Sequence, residues 1–160
     1  MGMLNLYDWG LPNQAQHLAR YKDNEPLYNM ARGLWADLNS ASMYFLITAV
    51  VVAIVAACYY YYGYNKLPGR KYKVSHWAIW IGITAAVTIL LTMVLGNVMV
   101  SSTLKEQAGF ILRISLINGL YASAVYFIVS FVICNLPVPT NAYRFLKIGK
   151  KLWQKYSFFV

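Results

Sequence analysis

The chain has 160 residues, of which 59% are hydrophobic and only 12% charged, with a formal net charge of +9. An ordinary soluble domain is roughly 45–50% apolar and about 25% charged, so a water-soluble fold would be left without enough polar surface to cover itself. The length allows one domain. The basic excess sits in short blocks beside apolar runs, which assigns it to membrane topology and anionic lipid and excludes nucleic acid as the partner.

Residues 1–42 form the first segment. Asp8, Asp23, Glu25 and Asp37 fall here, and no unbroken apolar run precedes a small-residue cleavage site, so a cleavable signal peptide is not expected. The same acidic residues argue against a mitochondrial transit peptide. Residues 1–22 are apolar but irregular, with Leu4, Leu6, Tyr7, Trp9 and Leu11. They read either as a segment that orders against something else or as a frayed terminus. Asp23-Asn24-Glu25-Pro26 is a helix-start signal. Beyond it Leu27, Ala31, Leu34, Trp35 and Leu38 share one face, with Asn29, Arg32 and Asp37 off it and Gly33 weakening the helix. The expectation is a short amphipathic helix lying on the outer membrane surface or docked on a partner.

Residues 43–136 contain the apolar spans. Met43 to Tyr64, Trp77 to Val100 and Ile114 to Leu136 each lack any charged residue, and each exceeds the roughly 20 residues a helix needs to cross a bilayer core of about 30 Å. Tyr59 to Tyr62, Tyr64, Trp77 and Trp80 put rings at the headgroup level. Pro137 and Pro139 stop the third span.

Each span carries a stripe of small or weakly polar residues. The first has Ser42, Ala49, Ala53, Ala56 and Tyr60; the second has Thr84, Thr88 and Thr92, with Gly82 and Gly96 elsewhere; the third has Ser115, Gly119, Ser123, Tyr126 and Ser130. Lipid gives little reason to segregate such residues, so the stripes are expected to mark helix contacts. The threonine stripe carries a second reading, a narrow pore lined by copies of the chain, against packing with each hydroxyl bonded to its own helix. Asn97 and Asn118 are placed near the outer ends of their spans, bonded to one another or facing interfacial water.

Residues 137–160 close the chain. A cap at Thr140 or Asn141 precedes Phe145, Leu146, Gly149, Leu152, Trp153 and Tyr156 at helical spacing, with Arg144, Lys147, Lys151 and Lys155 on the other face. This predicts a basic interfacial helix on an anionic leaflet, or one docked on a cytoplasmic partner.

Three spans force the first loop and the tail onto one side. Lys66, Arg70, Lys71 and Lys73 in the loop then agree with Arg144, Lys147, Lys150, Lys151 and Lys155 in the tail. The opposite side has Arg20, Lys22, Arg32, Lys105 and Arg113. The positive-inside rule makes the more basic side cytoplasmic and the N-terminus external. The predicted architecture is an all-α integral membrane protein with three transmembrane helices, an N-terminal amphipathic helix and a basic C-terminal interfacial helix, in a bacterial inner membrane.

Catalytic chemistry is not expected. No HExxH, CxxC or GxxxxGK[ST] occurs, no carboxylate or histidine lies within a span, and Cys58 and Cys134 read as packing residues. His17 and His76 fall on opposite sides, so they form no metal pair, and no cofactor is implied. Asp23 and Glu25 read as capping groups. The sequence points to a non-enzymatic structural or assembly subunit of a larger envelope complex, such as secretion or injection machinery. Its partners would be the lipid bilayer and other membrane subunits or copies of itself. Two alternatives stand: a homo-oligomeric channel or membrane-disrupting effector, and an immunity-type inhibitor of a toxin. Candidate contact residues for anionic lipid or a partner are Arg70, Lys71, Lys73, Arg144, Lys147, Lys151 and Lys155.

Overall fold

The computed structural model describes residues 3–64, 74–102 and 104–135. Its elements are a 3-10 helix (Met3–Tyr7), then α1 (Gln14–Ala19), α2 (Glu25–Cys58) prolonged by a π-helical turn (Tyr59–Gly63), α3 (Val74–Met99) and α4 (Gln107–Asn135). No strand is found among the described residues.

Three helices are long and apolar enough to cross a bilayer: Glu25–Gly63, Val74–Met99 and Gln107–Asn135. Their outward faces are apolar. Ile79, Ile83, Val87, Leu90, Val94 and Val98 on α3 are exposed, as are Leu116, Leu120, Phe127, Ile128 and Val132 on α4. In water such a surface would be unsustainable; in hydrocarbon it is the solvated face.

The predicted amphipathic stretch is not a separate surface helix. Asn24 caps α2, its side chain accepting from the Leu27 N–H at 3.2 Å, and Pro26 sits in the first turn. From there the helix runs through positions 42 and 43 without a break. No proline interrupts the path, and Gly33 is tolerated in open space. At 39 residues with its π turn, α2 is about 58 Å long at 1.5 Å per residue, roughly twice the hydrocarbon thickness. Its length therefore exceeds what the hydrocarbon core alone requires.

The predicted apolar face of that first half is the buried one. Ala31, Leu34, Trp35 and Leu38 are all buried, and the last three pack in one cluster with Leu4, Tyr7, Leu11, Phe110, Ile111 and Ile114. What the irregular residues 3–22 order against is thus the chain's own helices. In water, burial of this kind is driven by the hydrophobic effect, about 1.5–3 kcal/mol for each large apolar side chain fully buried.

Inside the membrane that driving force is absent, and packing relies on small residues and polar links. Thr84, Thr88, Thr92 and Gly96 are the buried residues of α3. Gly119 lets α4 approach α3 closely: a Cβ there would lie 2.9 Å from Ile89 Cδ1 and 3.5 Å from the Ala85 carbonyl oxygen. Ala49 and Ala53 are fully buried, and the next position inward is Ala57, with Ala56 half-buried. Positions 53 and 57 continue the four-residue step of the ridge.

The helix widens at its far end. The Tyr64 N–H bonds to the Tyr59 carbonyl, five residues back. Consecutive Tyr60 and Tyr61 are both buried and meet edge to face at 4.9 Å.

Candidate functional site

The polar groups of the bundle gather at two places. The deeper one is Asn118. Its Nδ2 donates to the Phe45 carbonyl of α2 and to Thr92 Oγ1 of α3, each at 3.1 Å. Its Oδ1 accepts from the Tyr7 hydroxyl at 2.7 Å. One fully buried amide on α4 thus links both other spans and the N-terminal 3-10 helix. Asn97 takes no part; it is exposed and donates to Met93 in its own helix. The two asparagines do not bond to one another.

The 3-10 helix is held at the same level by Tyr121, one helical turn along α4. Its hydroxyl donates to the Leu6 carbonyl and accepts from the Trp9 indole N–H at 3.2 Å. Gly10 fits closely against Ile117, whose Cδ1 would meet a Cβ at 2.5 Å.

The second place is where α1, the first half of α2 and the start of α4 meet. The Trp35 indole N–H donates to His17 Nδ1 at 3.1 Å. An indole can only donate, so Nδ1 is the acceptor and the ring proton resides on Nε2. That proton is directed at Glu106 Oε2, 2.6 Å away. A doubly protonated ring would set two N–H groups against each other on the Trp35 side. His17 is buried to 1% exposure, whereas the Glu106 side chain remains 41% exposed. The His17 hydrogen bond holds the Glu106 carboxyl below its ordinary value, with partial burial opposing and Tyr21 and Arg20 assisting. Burial, with the Glu106 carboxylate adding to it, pushes the Tyr21 phenol up. Phe110 and Trp35 close around the imidazole edge to face, at 5.1 and 5.9 Å.

A cavity of about 390 Å³ opens beside this group, lined among others by Arg20, Lys105, Glu106, Gly109, Phe110 and Arg113.

The stripes predicted from sequence lie largely between the helices of the single chain. Thr84, Thr88 and Thr92 are at most 1% exposed. Thr84 donates to the Trp80 carbonyl and Thr88 to the Thr84 carbonyl, at 2.7 and 2.8 Å. Ser115 and Ser123 likewise donate four residues back, to Ile111 and Gly119. Ser130 accepts from the Trp77 indole at 3.2 Å, and Tyr126 is buried beside Trp77. Cys134 is buried with the Tyr61 hydroxyl 3.3 Å from its Sγ, and both cysteines are free thiols. Arg70, Lys71, Lys73, Arg144, Lys147, Lys151 and Lys155 lie outside the described residues, as does the predicted C-terminal helix.

Sequence reading missed both polar centres. His17 and Glu106 are 89 positions apart and Tyr7 and Asn118 are 111 apart, so no local spacing announces either pair. The one available signal was physical: an amide well inside an uncharged span must find partners.

Compared with known protein families, with curated proteins and with solved structures, the chain matches none.

Proposed function

We propose that the protein is a non-enzymatic structural or assembly subunit of a larger membrane complex. The observation that carries this reading is the use made of the buried polar groups. Asn118 links the spans, Thr84, Thr88 and Ser115 bond within their helices, and His17 is locked between Trp35 and Glu106. These contacts favour a rigid scaffold with a folded external cap. A bacterial envelope complex spanning both membrane faces, such as secretion or injection machinery, is the setting this suits, with the N-terminus outside and the basic segments cytoplasmic by the positive-inside rule. The channel reading is disfavoured by the burial of the threonine face against neighbouring helices of the same chain.

Gentle detergent extraction, native mass measurement and identification of co-purifying proteins test the proposal. The expected result is a stable association with unlike membrane subunits and no change in cell conductance on expression of the chain alone. A pure homo-oligomer whose expression depolarises cells, with ion flux altered by Thr88→Leu, overturns it in favour of a channel. Selective protection against one membrane toxin, with no stable complex in its absence, overturns it in favour of the immunity reading.

A further inference from the structure

Basic and acidic residues balance over this end of the bundle as a whole, but the lining of one cavity holds three cations against a single carboxylate. Five basic residues belong to this end of the bundle: Arg20, Lys22, Arg32, Lys105 and Arg113. Three of them, Arg20, Lys105 and Arg113, converge on the 390 Å³ cavity although they come from the end of α1, the turn before α4 and the second turn of α4. None of the three is ion-paired with a carboxylate among the described residues. The one acidic group on the cavity wall, Glu106, accepts from His17 and offsets only part of the charge of the three cations. Asp37, the acidic residue nearest the α3–α4 turn in its bonding, is taken by the backbone N–H and hydroxyl of Ser101. Clustered cations repel one another, and that repulsion is relieved by an anion between them.

We propose that this cavity binds the phosphate of an anionic phospholipid headgroup. Arginine presents a planar fork of donors that matches phosphate oxygens, and lysine adds a compact charge. The cavity volume falls within the range of small-ligand sites, about 300–1,000 Å³. Its wall is the N-terminal end of α4, whose dipole has the matching sign. Two features favour lipid over a free anion. Arg113 directly precedes Ile114, where the uncharged third span begins, so the cavity mouth lies at headgroup level. Phe110 forms part of the cavity wall, so the cavity is not lined by polar groups alone. Gly109 leaves room for the ligand: a Cβ built there meets nothing within 4 Å.

Native mass spectrometry of the detergent-solubilised chain tests this, with phosphatidylglycerol and phosphatidylcholine offered in equal amounts. Wild type is expected to retain phosphatidylglycerol preferentially. Arg20→Gln combined with Arg113→Gln should weaken that retention at least about tenfold, the loss of one or more charge-assisted contacts. Gly109→Leu keeps every charge and fills the cavity from open space, so it should give the same loss even if the double variant folds poorly. Arg32→Gln, a cation outside the cavity, should retain lipid as wild type does. Undiminished preference in both cavity variants, no preference in wild type, or an equal loss in Arg32→Gln overturns the site. Displacement of the lipid by millimolar inorganic phosphate overturns the lipid as occupant in favour of the free anion.

Discussion

The Tyr7 hydroxyl donates to Asn118 Oδ1 at 2.7 Å, and through that bond a segment outside the spans is tied to the polar junction among them. Asn118 has two donors and an acceptor oxygen, and the donors reach two different helices. Replacing it with leucine leaves the Tyr7 hydroxyl buried without its partner and removes both cross-helix links. Asn118→Leu should lower stability by about 1–3 kcal/mol, an interhelical hydrogen bond in a membrane protein adding less than a buried orphan costs. Asn97→Leu, an exposed side chain bonded to its own helix, should change it by less than about 0.5 kcal/mol. Denaturation in mixed micelles distinguishes the two.

Tyr7→Phe should act locally. It removes one hydrogen bond, about 0.5–1.5 kcal/mol, while the ring still packs against Tyr121 at 6.0 Å. Hydrogen exchange over Met3–Tyr7 should accelerate while exchange across α3 stays unchanged. Equal acceleration in both would show that the segment and the bundle open as one unit.

Close approach of α3 and α4 gives a steric prediction. A Cβ at Gly96 would lie 2.7 Å from Ile111 Cγ2, and one at Gly119 would lie 2.9 Å from Ile89. Gly96→Val and Gly119→Val should each cost about 1–3 kcal/mol through overpacking. Gly82→Ala, with nothing within 4 Å, should be neutral or stabilising by up to about 1 kcal/mol, alanine being the better helix former. Thermal unfolding in detergent ranks the three.

Much of the fold was legible because the bilayer imposes it. Uncharged runs of sufficient length located all three spans, and the Asn24-Glu25-Pro26 signal located the start of α2. That Ala31, Leu34, Trp35 and Leu38 share one face followed from helical spacing, whereas its covering by the chain's own segments did not. The continuity of α2 was not legible, since an amphipathic stretch followed by an apolar one reads as two elements unless something rules out a bend. Nor were His17 with Glu106 or Tyr7 with Asn118, because pairing across so many positions depends on topology rather than on local pattern.

The cap should loosen in acid. The Glu106 carboxyl is held below its ordinary value of 4.5, chiefly by the His17 hydrogen bond. A carboxyl depressed in the folded state contributes stability that is fully present above the ordinary value and is lost as pH falls through the lower, folded one. His17, Tyr21 and Arg20 face this carboxyl. Near-ultraviolet circular dichroism of the tryptophans should therefore report a loss of cap order in that acid window. Glu106→Gln, which still offers an oxygen to the imidazole, should flatten this part of the pH response.

A single unbroken rod also fixes phase. Leu34, Trp35 and Leu38 point at the cap for the same reason that Ala49, Ala53 and Ala57 point at α4: both sets ride on one screw, turning about 100° per residue. Inserting or deleting one residue near Asn39 would swing the whole outer face away from its mates while leaving composition, hydropathy and span count untouched. The distance between the two sets, and not merely their content, is therefore a constraint on this chain, and a shift at one end of the rod is felt as a rotation at the other.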